Sequence, residues 1–377
     1  MPRRSDDWVY GGGRWWERLW RQLPSTRLRT WMRMAYVHAR WGDSVRGWQK
    51  QNGRPYADRR HPTYGRVNIG LMDYKSHDVL CSSRNLGDWI QTLGMMGMLA
   101  PHMPADTDGP GVDTLRHFAP GQLGGKARLV ALDRDALNAG RDGNGGWAFV
   151  HGWHGRRAQG YGVMLPPRGW NPLYIGIYLM TDDLLTDAEW ERLRQYEPIG
   201  CRDMHTVALM RRRGAKSYFS GCVVQSLRLP RDVSSTLNLG AAPLAIDLRG
   251  ADNPGKYRLT SHHMPVMRGQ TFSANVELAY QRMLAYRDIE RVLTTRLHAW
   301  LPILAVGGRA ELVRPGWLAT DARFSGLAGL SQADIIVMGN RLRAGIDRIA
   351  PMIMRQDEPA EIYAAWRDYV YANYEVA

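Results

Sequence analysis

A chain of 377 residues, 44% hydrophobic and 23% charged, is long enough for two domains and too apolar for a disordered polymer. No apolar run reaches the length needed to cross a bilayer. The first residues are basic but lack the apolar core of a secretory signal. Three cysteines, Cys81, Cys201 and Cys222, are odd in number and lack metal-ligand spacing, which argues against a disulfide framework. The expectation is a cytoplasmic protein with reduced thiols.

The net charge of +14 is uneven. Residues 1–65 read as a basic, Trp-rich extension with helical pattern. Within residues 1–60 there are fourteen Arg or Lys, five Asp or Glu and seven Trp. Trp16, Leu19, Trp20 and Leu23 fall on one helical face, as do Leu28, Trp31, Met32 and Ala35. This combination suits a helix lying on the anionic inner face of a membrane. It equally suits two amphipathic helices packed on the main domain, with Arg on their solvated face. Charge and aromatics alone would also suit nucleic acid, but no nucleic-acid-binding motif occurs and no such partner is expected.

Organised sequence begins near residue 66. VNIGLMDY (67–74) reads as a buried strand, followed by the polar turn SSRNLGD and an apolar helix over 89–100. Residues 101–125, rich in Pro, Gly and Asp, read as a long loop. Strands are expected at 127–133, 147–153 and 172–180. TDAEWERLRQYE has the cap and acidic first turn of a helix. A short strand at 198–200, a helix over 203–214 and a strand at 216–221 complete the first unit, 66–225. The pattern then restarts in 226–377. Strands are expected at 243–250 and 257–265, a helix at 272–286, and a strand at 291–295. The helix LHAWLPILAVG follows, then a strand at 310–315 and helices at 331–349 and 357–374. Alternation of strands and helices, twice over, predicts two doubly wound α/β domains. Ligands of such domains bind beyond the carboxyl ends of the strands.

Three polar constellations fall there. RNLGD (84–88) puts a glycine at a helix start, where backbone N–H groups can meet an anion; Asn85 or Asp88 as a simple helix cap accounts for it equally well. In IGCRD (199–203), Asp203 is placed to cap the next helix and Arg202 to enter the cleft, unless the two form an ordinary surface pair. In TTRLHA (294–299), Arg296 and His298 meet the anion-attracting N-terminus of an apolar helix, with Leu297 turned inward. Arg offers a planar fork for phosphate or carboxylate, and His moves protons near neutral pH. Adjacent strand residues His262 and His263 face opposite sides, so that pair is unsuited to chelation.

These residues carry a pattern. PIGCRDMHTVALMRRRGAKSYFSGC (198–222) resembles the GCRD-x-x-T helix and YFSGC strand of the polysaccharide pyruvyl transferase family. NLGD (85–88), HGW (151–153) with PP (166–167), TTRLHA and DARFSGL (321–327) resemble further motifs of that family, in order along about 67–330. The resemblance implies two Rossmann-like domains in a GT-B-like arrangement. It implies transfer of a pyruvyl unit from phosphoenolpyruvate to a sugar of a cell-envelope or exopolysaccharide precursor. The donor-binding positions it implies are Arg202, Arg296 and Leu297, with Arg323 as a third anion contact and Asn85 and Asp88 at the early turn. His298 is the implied proton-transfer residue. Phosphoenolpyruvate is the donor substrate, and the scheme requires neither metal nor further cofactor.

A carboxylate and a phosphate on one small ligand call for at least two cationic clamps, with Arg202 and Arg296 expected to face each other across the cleft. The chain departs from the pattern at two places. Tyrosines occupy the strand end YIGIYLM, where the family often has histidine, and SGCVVQSL replaces SGCLTLTL. Both bear on the acceptor, which is expected to be a glycan or lipid-linked glycan. Two other readings remain open: a GT-B-type sugar-nucleotide glycosyltransferase, and a non-catalytic protein of the membrane surface.

Overall fold

The run VNIGLMD is apolar on both faces, the mark of a central parallel strand. It forms β1 (Val67–Asp73), buried along its whole length. The computed structural model describes residues 65–74, 85–118, 123–134, 145–154, 164–166, 169–248, 255, 257–262, 271–316 and 321–376. The expected N-terminal extension lies outside the described residues.

Six more strands join β1: β2 (Pro104–Asp108), β3 (Leu123–Asp133), β4 (Gly146–His154), β5 (Trp170–Leu179), β6 (Ile199–Cys201) and β7 (Ser217–Phe219). Their order is β2-β3-β1-β4-β5-β6-β7, and every pairing is parallel. A second parallel sheet contains β8 (Leu244–Ile246), β9 (Arg258–Thr260), β10 (Val292–Thr294) and β11 (Ala310–Leu312), in the order β11-β10-β8-β9. The protein is therefore an α/β protein with two Rossmann-like sheets. No described helix is long and apolar enough to cross a membrane.

The helices are α1 (Leu86–Leu99), α2 (Val112–Arg116), α3 (Asp187–Arg194), α4 (Met204–Arg212), α5 (Phe272–Arg287), α6 (Leu297–Ala305), α7 (Gln332–Arg355) and α8 (Pro359–Asn373). Their starts follow local chemistry. Thr186 and Glu189 form a reciprocal capping box on α3, and Ser331 and Asp334 do so on α7. Asp203 caps α4 by accepting from the Thr206 N–H at 2.9 Å. Every residue of α1 is buried, as expected of a helix enclosed on all sides.

The expected loop at 101–125 is partly ordered. PADTD forms β2 and VDTLR forms α2. Its polar composition hid it because β2 is an edge strand, paired only with β3, and an edge tolerates both exposed acids and a leading proline. SGCVVQSL does not continue as a strand after β7. Val223–Ser226 tighten into a buried 3-10 turn, with the Cys222 N–H donating to Gln225 Oε1 at 2.7 Å.

That turn carries the chain from the first sheet to the second, and α1, α6 and α7 all pack on it. Two glycines make the approach possible. A Cβ on Gly94 of α1 would lie 2.6 Å from the Val223 carbonyl oxygen, and one on Gly339 of α7 would lie 2.0 Å from that of Gln225. Arg343 Nε then donates to the Ser226 carbonyl at 2.7 Å. The last helix returns to the first sheet, where Tyr363 Oη donates to the Pro172 carbonyl at 3.0 Å and Val376 bridges Tyr218.

Gly→Ala within a helix ordinarily stabilises by about 1 kcal/mol. At Gly339 the backbone contact reverses the sign. Gly339→Ala is expected to lower stability by about 1–3 kcal/mol, read as a fall in the urea midpoint; a rise would show that α7 does not seat on the turn.

Candidate functional site

The carboxyl end of β6 delivers Arg202 into the interior. Its side chain is 1% exposed, an unusual place for a guanidinium, which stays charged in proteins. The ring of Tyr178, at the end of β5, lies 4.8 Å beneath it in a cation–π contact. Asp203 Oδ2 stands 3.6 Å from its Nε, too far for a hydrogen bond. Arg202 Nη1 meets Nε2 of His298, near the start of α6, at 3.4 Å. Nε and Nη2 have no hydrogen-bond partner among the described residues. A buried cation left in this state is costly unless an anion completes it.

Burial pushes the Asp203 carboxyl above the usual carboxylate range, against the opposing pull of Arg202 and the Thr206 hydrogen bonds. The nearest acid thus forms an ion pair with Arg202 without a hydrogen bond to it. Arg323 is also within electrostatic reach of Tyr178 and His298. It is held by Asp321, whose Oδ1 accepts from Arg323 Nε at 2.9 Å. The cluster thus contains two arginines, of which Arg202 has two nitrogens without a hydrogen-bond partner among the described residues.

His298 retains some accessible surface. Its pKa lies well below the ordinary histidine value, first because of desolvation and then because of Arg202 and Arg323. The ring is neutral at neutral pH and can accept the proton of Arg202 Nη1 at Nε2. Its other flank rests on the α1 start. A Cβ on Gly87 would come within 2.8 Å of His298 Cβ and 3.1 Å of Nδ1. The glycine of RNLGD therefore admits a side chain from the second sheet's helix. Asn85 caps α1 by accepting from the Gly87 N–H at 3.1 Å, and Asp88 lies 3.8 Å from Arg134. Asn85 fits the capping alternative, whereas Asp88 lies inside the first turn and pairs with Arg134.

Arg296 has another partner. Its Nε donates to Asp247 Oδ2 at 2.8 Å, at the end of β8. Burial alone would raise the Asp247 pKa, but Arg296 and hydrogen bonds from Ser261 and His262 hold it below the usual range. Arg296 and His298 do not share a direction because strand alternation stops at Arg296. Leu297 opens α6, and each helical residue turns the side chain by about 100°. Leu297 itself is buried in the core, as expected. The structure brings together Arg202, His298 and Arg323, and places Asn85 beside them. Arg202 contacts His298, and Arg296 contacts Asp247.

No family model, curated protein or solved structure matches the chain. The site therefore rests on its own chemistry. A groove of about 630 Å³ lies elsewhere, along edge strand β11, lined among others by Trp300, Leu312 and Arg314; it holds none of the clustered residues.

Sequence reading gave no catalytic or donor-binding role to Tyr178, Asp321, His151 or His262. Tyr178 had a signal, since it closes a strand two elements before Arg202. The buried His262 stacks on Tyr286 at 5.5 Å, a long-range contact without a local signature. His263 lies outside the described residues. Cys201 and Cys222 are buried, with thiol pKa values raised chiefly by burial, that of Cys222 to about 11, so neither is an activated nucleophile.

Burial also depresses His151, to about 3, with Arg134 adding to the effect. Protons lost from the native imidazole but kept by the unfolded chain make stability fall as pH drops below about 6.5. Each such histidine contributes up to about 1.4 kcal/mol per pH unit. The urea midpoint is expected to decrease between pH 7.5 and 5.5, with a shallower decrease in His151→Phe; an unchanged slope would refute the neutral buried imidazole.

Proposed function

We propose that the protein transfers the pyruvyl group of phosphoenolpyruvate to a sugar of a cell-envelope or exopolysaccharide precursor, with its two sheets in a GT-B-like arrangement. The observation that carries this reading is Arg202. Its guanidinium is buried, two of its nitrogens lack hydrogen-bond partners among the described residues, and a neutral histidine stands 3.4 Å from the third. Anion recognition and proton transfer thus meet at one point. The ordered motifs GCRD, RLH and NLGD add their resemblance to the pyruvyl transferase pattern.

In this reading Arg202 and Arg323 clamp the two anionic groups of the donor. Arg296, held by Asp247, positions the start of α6. The negative ligand offsets the fields of Arg202 and Arg323, which add to desolvation in depressing His298, and so favours uptake of a proton by the imidazole on binding. His298 then gives that proton to the methylene carbon of phosphoenolpyruvate. The C2 centre becomes oxocarbenium-like and a sugar hydroxyl adds to it. The hydroxyl's proton returns to His298. Loss of phosphate, which takes up that proton, opens C2 to a second hydroxyl and closes the ketal; the second hydroxyl's proton leaves to solvent. One phosphate is released for two C–O bonds formed.

The basic segment 1–60 is proposed to hold the chain on an anionic membrane, near a lipid-linked acceptor. Full-length protein is expected to co-sediment with vesicles containing phosphatidylglycerol. Deletion of residues 1–60 should abolish this, and undiminished sedimentation would remove the segment from membrane binding.

Incubation with phosphoenolpyruvate and membrane glycans is expected to release inorganic phosphate. His298→Gln should lower the rate by about 10²–10⁴-fold, and Arg202→Lys should weaken donor binding by about 2 kcal/mol. Calorimetry in buffers of different ionisation enthalpy should show proton uptake on binding, reduced in His298→Gln. Absence of both phosphate release and donor binding would sink the reading.

A further inference from the structure

Strand β11 ends the second sheet on one side and pairs only with β10. The Val292 N–H donates to the Arg309 carbonyl at 2.9 Å, and the Val313 N–H to the Thr294 carbonyl at 2.8 Å. In a parallel ladder this phase turns both backbone groups of Glu311 toward β10 and those of Ala310 and Leu312 away from it. The outward N–H and C=O groups have no hydrogen-bond partner among the described residues. Both residues line the groove of about 630 Å³, a volume usual for small-molecule sites. We propose that this groove binds the base of a nucleotide. The inference goes beyond the transferase reading and does not depend on it.

The lining suits a flat heterocycle. Trp300 and Leu304 of α6, with Leu330, supply apolar surface for the faces of a ring. The polar groups lie at its rim. The Ala310 carbonyl accepts and the Leu312 N–H donates, side by side along the strand edge. Every nucleobase presents an adjacent donor and acceptor on its Watson–Crick edge, the edge that proteins read in unpaired bases. Gln332 adds a third group. Its Nε2 donates to the Leu304 carbonyl at 2.9 Å, which leaves Oε1 as the end that can accept from a ligand.

Charge and access agree with this occupant. Arg314 is exposed and lines the groove. Its guanidinium lies 5.3 Å over the Phe324 ring, beside the space a phosphate would occupy. The Glu311 carboxylate is already paired with Arg291, so its repulsion of a phosphate is reduced. An added strand fits less well. β11 turns only Ala310 and Leu312 outward, and the 328–330 segment shares the groove with them. The site is separate from the cationic cluster. Trp300 follows His298 by two residues in α6, which is roughly 200° around a helix, so the helix stands between the two.

The test titrates full-length protein by calorimetry with the 5′-monophosphates of adenosine, guanosine, cytidine and uridine. At least one should bind, and ribose 5-phosphate, which lacks a base, should bind about tenfold more weakly or not at all. Leu312→Pro deletes an outward N–H and leaves the bonds to β10 in place, as an edge strand allows. It should weaken nucleotide binding about tenfold, with its melting temperature reporting the fold. The ligand side needs no variant: the best binder methylated on the donor of its Watson–Crick edge should lose a similar factor. Saturating phosphoenolpyruvate should leave the nucleotide bound. If none of the four nucleotides binds, if binding is indifferent to both base methylation and Leu312→Pro, or if phosphoenolpyruvate displaces the nucleotide, the groove site is refuted. Failure of phosphoenolpyruvate to bind the wild type would count against the transferase reading alone, leaving the nucleotide result to decide the groove.

Discussion

The structure depends on backbone fitting against backbone at residues 223–226. Here the chain leaves the first sheet and is gripped by α1 and α7 at positions where only glycine leaves room. Backbone carbonyls in that slot cannot yield as a flexible side chain would. Arg228 extends the grip, donating to the Ala305 carbonyl at the end of α6 and to Asn340 of α7. The helix that bears His298 and the sheet that bears Arg202 are thereby fixed on one short segment. A contact of 3.4 Å between side chains 96 residues apart needs such an anchor.

That anchor matters because the site stores an electrostatic imbalance. A buried guanidinium is ordinarily met by a carboxylate and several hydrogen bonds. Arg296 follows this rule, one element away, through Asp247. Arg202 differs: it has an aromatic face, an ion-paired carboxylate at 3.6 Å that accepts no hydrogen bond from it, and a neutral imidazole. The two arginines thus divide the work by their degree of neutralisation. One steadies a strand end, and the other keeps two nitrogens without a hydrogen-bond partner among the described residues.

Much of this was legible from local pattern. The apolar run of β1, the capping box at Thr186, the Asp203 cap and the helix at 297–305 are written in residues close in sequence. Arg202 and His298 stood out for the same reason, since each sits where a strand ends and a helix begins. The legible part stopped at β2, whose acids look like a loop because an edge strand is half solvated, and at VVQS, to which the pattern assigns no element and which forms a buried turn.

The sequence by itself determined the alternation of elements, their caps and the presence of cations at strand ends, because periodicity and capping act over a few residues. Only the tertiary structure decided which cation would be answered. Arg296 and His298 are two residues apart, yet one meets Asp247 across 49 positions and the other meets Arg202 across 96. The change from strand to helix at Leu297 sets their directions apart. The packing of α6 on β10 and β11, on α1 and on the 223–226 turn supplies each with its partner, and no local pattern encodes contacts made across such separations.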